Sequence, residues 1–254
     1  MANAAACPIC GGTGWRIVER DGLSGAERCD CAPAERAGRL LERANIPPRY
    51  RHASFDNFIV NPGNPVTGRI LQNTLTVAGS YAREFPAGLR KQGLLFIGDP
   101  GTGKTHLAVA VLRRLIARGF EGVFLDYQQL LDQLRQSYDS AAGGGSREAY
   151  RLALECEVLL LDDLGAQKIT DWVEDTITSI ITHRCNHNKP LIATTNLRDP
   201  EAGDAPIPSG AAGDVAGRYY LSERIGVRAR SRLLEMCRIV STRGVEDYRP
   251  RVTR

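Results

Sequence analysis

Gly98, Asp99, Pro100, Gly101, Thr102, Gly103, Lys104, Thr105 and His106 read GDPGTGKTH, which contains the spacing G-x4-G-K-T. Glycines at these positions let the backbone curl until its N–H groups face inward, toward the oxygens of a phosphate chain. A helix opening near Lys104 would add the positive end of its dipole. Lys104 is then placed to reach the β- and γ-phosphates, and Thr105 to offer its hydroxyl to Mg²⁺. A second constellation, Asp162 and Asp163, directly follows the apolar run VLLL. Adjacent carboxylates repel each other unless a cation is near. Asp162 therefore reads as the partner of Mg²⁺, and Asp163 as the group that polarises an attacking water. A third, Asn196, ends the segment PLIATTN. On a strand lying between the other two, this amide would touch the γ-phosphate and the attacking water, although asparagine also ends strands simply because it suits turns. The set favours hydrolysis of ATP over transfer of its phosphate to another acceptor.

The cysteines suggest a separate chemistry. Cys7 and Cys10 form a C-x2-C pair, and after an 18-residue gap Cys29 and Cys31 form a C-x-C pair. Four thiolates suit tetrahedral Zn²⁺, and they leave no open position for a reaction, so the ion would be structural. A piece this small buries too little apolar surface to hold itself together, and metal would supply most of its folding free energy. Cys156, Cys185 and Cys237 lie singly along the rest of the chain and read as small buried hydrophobes.

These groups need elements to position them. Leu94 to Ile97 and Val158 to Leu161 are unbroken apolar runs, as expected of parallel strands buried on both faces. Between them, Val123 to Asp126 predicts a strand, followed by a helix ending near Tyr138, a linker over 139–146 and a second short helix. WRIVERDGLSGAERC predicts a short hairpin turning near Asp21 and Gly22. Residues 33–48 predict an amphipathic helix stopped by Pro47 and Pro48. Residues 199–217 are poor in large apolar side chains and rich in Gly, Ala and Pro, and are assigned no chemistry. Ser222 to Leu234 predicts a helix carrying several arginines.

At 254 residues the chain suits one sizeable α/β core with a small accessory module. Apolar residues make up 43% and charged residues 24%, and no apolar run approaches the roughly 18 residues of a membrane helix. The start MANAAACPIC lacks a basic stretch followed by an apolar one, so the expected location is the cytoplasm. Net charge is +4, but residues 218–254 hold ten arginines against four acids, a local excess suited to phosphates.

Taken in order, ANIPPRYRHASFDNF, GDPGTGKTHLA, LLLDDLG, IATTN, SERIGVRARSRLLEMC and the terminal DYR resemble the DnaC/IstB-type branch of the AAA+ ATPases, over about Ala44 to Val252. The resemblance implies an AAA+ P-loop NTPase, an α/β fold with a parallel five-stranded sheet flanked by helices. It also implies ATP and Mg²⁺ as ligands, head-to-tail self-assembly into a ring or spiral, and contact with single-stranded DNA and with a replicative DNA helicase or a transposase. Carried over by position, Asn196 becomes a sensor, Arg232 an arginine finger with Arg228 and Arg230 as rivals, and Arg249 a second sensor. Lys168, Arg135 and Tyr138 fall where the family has pore-facing elements. The insertion over 199–217 is longer than the family pattern. The cysteine-bearing start resembles that of the DnaI-like helicase loaders, which favours a loader over an IstB-like transposition helper or a nucleotide-gated adaptor. The expected organisation is a zinc module over 1–32, a linker and helix over 33–60, and the ATPase domain over 61–254.

Overall fold

The computed structural model describes residues 9–10, 15–20, 23–28, 32–60, 64–139, 144–200, 203 and 219–248. In chain order, one or more helices separate each strand after the first hairpin from the next. β1 (Trp15–Arg20) and β2 (Leu23–Arg28) form an antiparallel pair with Arg20 opposite Leu23, the two-residue connection expected at Asp21 and Gly22. α1 (Ala32–Arg43) follows, then a 3-10 turn (Pro48–Tyr50) and α2 (Pro65–Glu84). Next come β3 (Gly93–Ile97), α3 (Lys104–Ala117), β4 (Gly122–Asp126), α4 (Tyr127–Asp139), α5 (Gly144–Glu155) and β5 (Val158–Asp162). The chain continues through α6 (Asp171–Asn186), β6 (Leu191–Thr195), α7 (Leu221–Ile225), α8 (Val227–Met236) and β7 (Cys237–Ser241).

Five strands make one wholly parallel sheet in the order β4-β5-β6-β3-β7, as the family resemblance implied. Successive side chains along a strand point to opposite faces, so each apolar run feeds two cores at once. Leu95 and Ile97 of β3 join Leu159 and Leu161 of β5 and the apolar faces of α4, α5, α6, α7 and α8. Leu94 and Phe96 join Val158, Leu160 and Ile192 against α2 and α3, where Ala44 and, partly, Leu40 and Leu41 also pack. Residues 33–60, expected to form a linker and helix, are thus built into the second core. Ala44 is buried, and its carbonyl accepts from Phe124 N–H at 2.8 Å.

Two elements that position the site were not foreseen. α2 begins where Asn64 caps the N–H groups of Val66 and Thr67 and Pro65 fills the first turn, a donor-free position that suits proline. β7 adds the edge strand beside β3, with Cys237 and Val240 buried and Arg238 and Ser241 exposed, a partial exposure that fits an edge. One expectation needs correction: the helix over Ser222 to Leu234 is two helices. Gly226 sits between them at φ 82, and a Cβ there would collide with the Glu174 side chain.

Candidate nucleotide site

The C-terminal ends of β3, β5 and β6 converge on a cavity of about 510 Å³, within the usual range for small-molecule sites. β6 lies between β3 and β5. That arrangement brings the three separated motifs to one place, and Lys104, Thr105, His106, Asp162, Asp163 and Asn196 all line the cavity.

Gly101 and Gly103 of the phosphate loop have φ of 75 and 89, backbone that favours glycine. A Cβ on Gly103 would stand 2.6 Å from the Phe58 ring, and one on Gly101 would overlap the Asp247 carboxylate. Gly98 is equally constrained, because Thr242 occupies the space a Cβ would need. Thr102, which is buried, shares a 2.7 Å hydroxyl contact with Thr242 and donates to Asp99 O at 2.8 Å. Lys104 is only 6% exposed, and its ammonium donates to Asp99 O at 2.7 Å. Burial, and after it the nearby Arg243, lower its pKa to about 8. His106 has Nε2 2.9 Å from Ser54 O and its ring 5.5 Å from Phe58.

Thr194 organises the acidic pair. Its hydroxyl donates to Asp162 Oδ1 at 2.6 Å and accepts from Asp163 N–H at 2.9 Å. Thr195 donates to Leu164 O at 2.8 Å, so the turn after β5 is bolted to β6 and Asp163 is held at φ 56. Asn196 Nδ2 donates to Asp163 Oδ1 at 2.7 Å, so the amide expected to act as a sensor meets the carboxylate expected to act on water. Burial pushes the Asp162 carboxyl above its ordinary range, opposed by hydrogen bonds from Thr194 and then Thr105. The Thr105 hydroxyl and the Asp162 carboxylate therefore already meet. A buried carboxylate beside a hydroxyl, on the phosphate side of a cavity, is a donor set that fits Mg²⁺.

The remaining expected site residues divide. Arg232 lies away from the cavity on α8, half exposed and paired with Glu235 at 2.7 Å. Its rival Arg230 is committed within the chain, gripping buried Asp199 through two 2.6 Å contacts. Asp199, the first residue of the insertion, thus has a structural role that composition did not suggest. The insertion's two flanks are joined where Arg198 bridges Tyr220. Arg249 lies outside the described residues, as do Cys7, Cys29 and Cys31; Cys10 is buried. Arg135 stacks at 5.1 Å on Trp172, and Lys168 is exposed. Among the described residues no group of three or more candidate ligands is arranged to hold a metal ion, and no helix is long and apolar enough to cross a membrane.

Several lining residues were assigned no role from the sequence, although Tyr50 and Phe58 lie in ANIPPRYRHASFDNF and Tyr248 in DYR. Tyr50, Phe58, Ile59 and Leu71 come from the segments before the sheet, and Val245 and Tyr248 from beyond β7. Tyr248 N–H also donates to Gly101 O at 3.1 Å.

Comparison with known proteins agrees with this geometry. Residues 82–201 match the family model of the IstB-like ATP binding protein. The ATP-binding protein of insertion sequence IS5376 from Geobacillus stearothermophilus is 33% identical over 65% of this chain and 60% of its own length. The replicative helicase loader DnaC of Escherichia coli is 25% identical over 62% of this chain and 61% of its own length. The chain thus spans about three fifths of both relatives. A crystal structure of the DnaC helicase loader superposes with a TM-score of 0.59 at 29% identity, over 77% of this chain and 99% of that one.

Proposed function

From the premise that this chain carries a DnaC/IstB-type ATPase domain, we propose that it is an ATP-hydrolysing loader of a replicative DNA helicase. The observation that carries the ATPase half is the 2.7 Å bond from Asn196 to Asp163 on a strand inserted between β3 and β5. A sensor bonded to the water-activating carboxylate couples hydrolysis to the presence of a γ-phosphate. The base would lie against the aromatic and aliphatic lining residues, Tyr50, Phe58, Ile59, Leu71, Val245 and Tyr248. Thr105 and Asp162 would hold Mg²⁺, which neutralises charge on the phosphates when bound. Lys104 then leaves its Asp99 carbonyl for the phosphate chain, and Asp163 orients the attacking water. Arg232, on the exposed face of α8 and away from its own cavity, would serve a neighbouring copy's γ-phosphate in a head-to-tail assembly.

The amino-terminal hairpin supports the loader half. Trp15 pairs with Arg28, so the chain ends leading to Cys10 and to Cys29 leave the hairpin side by side, which suits one Zn²⁺ held by Cys7, Cys10, Cys29 and Cys31. Trp15 and Ile17, on one face of β1, are 52% and 82% exposed, a surface suited to a protein partner. The 33% identity with the insertion-sequence protein favours a second reading, an ATPase that assists a transposase.

The test uses the full chain with ATP, circular single-stranded DNA and either partner. A loader deposits helicase rings on the circle, and Asp163→Asn keeps ATP binding yet stops the cycle. Stable capture of a transposase with no effect on the helicase would replace the first reading by the second.

A further inference from the structure

Arg243 belongs to no motif, yet it reaches across the ends of the strands that build the site. It stands two residues past β7, and β7 and β6 flank β3 on opposite sides. Its guanidinium therefore crosses the C-terminal edge of β3, where the phosphate loop begins. Nη1 donates to the Asp99 carboxylate at 2.6 Å, while Nη2 donates to Leu197 O at 2.7 Å and Asn196 O at 3.1 Å. One planar fork thus holds the loop with one nitrogen and the sensor's main chain with the other, which a lysine's single ammonium cannot reproduce.

The base of this strap is fixed. Thr242 N–H donates to Ile97 O at 2.7 Å, and the Thr242 hydroxyl meets Thr102 at 2.7 Å, so the residue before Arg243 is bolted to the phosphate loop. The far end needs such a hold: the ladder between β3 and β6 ends at Ile97 and Thr195, and Asn196 lies just beyond it. Asn196 is then held at its carbonyl by Arg243 and at its amide by Asp163. A shift of Asp99 when the loop closes on a triphosphate would pass through the guanidinium to the Asn196 main chain.

We propose that Arg243 is a positioning residue for hydrolysis, which sets where the Asn196 amide stands relative to the γ-phosphate by tying its main chain to the phosphate loop. It rests on the ATPase assignment above. A residue that merely anchored the C-terminal strand would, on removal, lower the melting temperature and weaken all nucleotides alike.

The experiment compares the full-length chain with Arg243→Ala, Arg243→Lys, Asn196→Ala and the Arg243→Ala/Asn196→Ala pair. Affinities for ADP and for a non-hydrolysable ATP analogue are measured by calorimetry, and kcat and KM from steady-state turnover. Arg243→Ala should leave ADP affinity within about twofold, reduce the preference for the analogue over ADP about tenfold, and lower kcat about 10- to 100-fold with KM little changed. Arg243→Lys should recover part of this loss by restoring the contact with Asp99. The double variant should be no slower than Asn196→Ala alone, because the two act through one amide. Equal weakening of ADP and analogue, additive losses in kcat, or full activity in Arg243→Ala would each overturn the proposal. If Arg243→Ala melts below the assay temperature, Arg243→Lys is judged by the same affinity ratio. A wild-type chain that binds nucleotide without turning it over would sink the ATPase assignment, while the ratio still decides the role of Arg243.

Discussion

The nucleotide cavity and the amino-terminal hairpin are held together by different physics. Around the cavity, strands buried on both faces deliver polar groups that find partners: Asp162 with Thr194, Asp163 with Asn196, Arg243 with Asp99. The hairpin has two short strands, and Trp15 and Ile17 stand largely in water. A lone hairpin of this size is marginal in water, and that is where the proposed Zn²⁺ would act. With the proposed Zn²⁺ tying the hairpin, the cavity should survive loss of that metal and the hairpin should not.

The largest effect expected on the cavity side is from Asp163→Asn. Removing the carboxylate proposed to orient water should cut ATP turnover about 10² to 10⁴-fold while nucleotide affinity, measured by calorimetry, changes little. Next is Arg184, which is fully buried and donates to the carbonyls of Ala153, Leu154, Cys156, Glu157 and Pro190, tying the turn before β5 to the turn before β6. Arg184→Ala strands those acceptors and should cost about 3 to 5 kcal/mol of stability in urea unfolding. A third prediction concerns pH. Lys104 carries its charge below about 8 in the free protein and loses it above, so affinity for ATP should fall by up to about tenfold per pH unit above that value, with proton uptake on binding. Flat affinity between pH 8 and 10 would place the attraction elsewhere. Smallest for the cavity, and decisive for the comparison, is Cys10→Ser: one equivalent of zinc should disappear by elemental analysis while ATP affinity shifts less than about twofold.

How much of this the sequence carried follows from the range of each signal. GDPGTGKT, LLLDD and TTN are contiguous, and each announces a strand end with chemistry attached, so the phosphate side was read residue by residue. The hairpin was read from Asp21 and Gly22 between two strand-like runs. Arg243 and Asp99 are 144 residues apart, and Thr102 and Thr242 are 140 apart, distances at which no local pattern speaks. Tyr50, Phe58 and Tyr248 reach the cavity only because segments on both sides of the sheet core fold back over it. Gly226 falls inside the helix expected over Ser222 to Leu234, whereas the backbone turns there and Glu174 fills the space. Even Asp199, in a stretch that composition marks as uneventful, is buried because Arg230 reaches it from α8.

The central claim is a hydrolytic site completed by a neighbouring copy, and mixing two inactive proteins tests it most directly. Asp163→Asn keeps Arg232 and loses the carboxylate proposed to activate water, while Arg232→Ala keeps that carboxylate and loses the proposed finger. Random mixing in equal amounts pairs an intact site with an intact finger at about a quarter of interfaces. The account predicts that each variant alone is nearly inactive and that the mixture recovers ATP turnover toward a quarter of the wild-type rate. A mixture as inactive as its parts, or an Arg232→Ala variant as active as wild type, would contradict it.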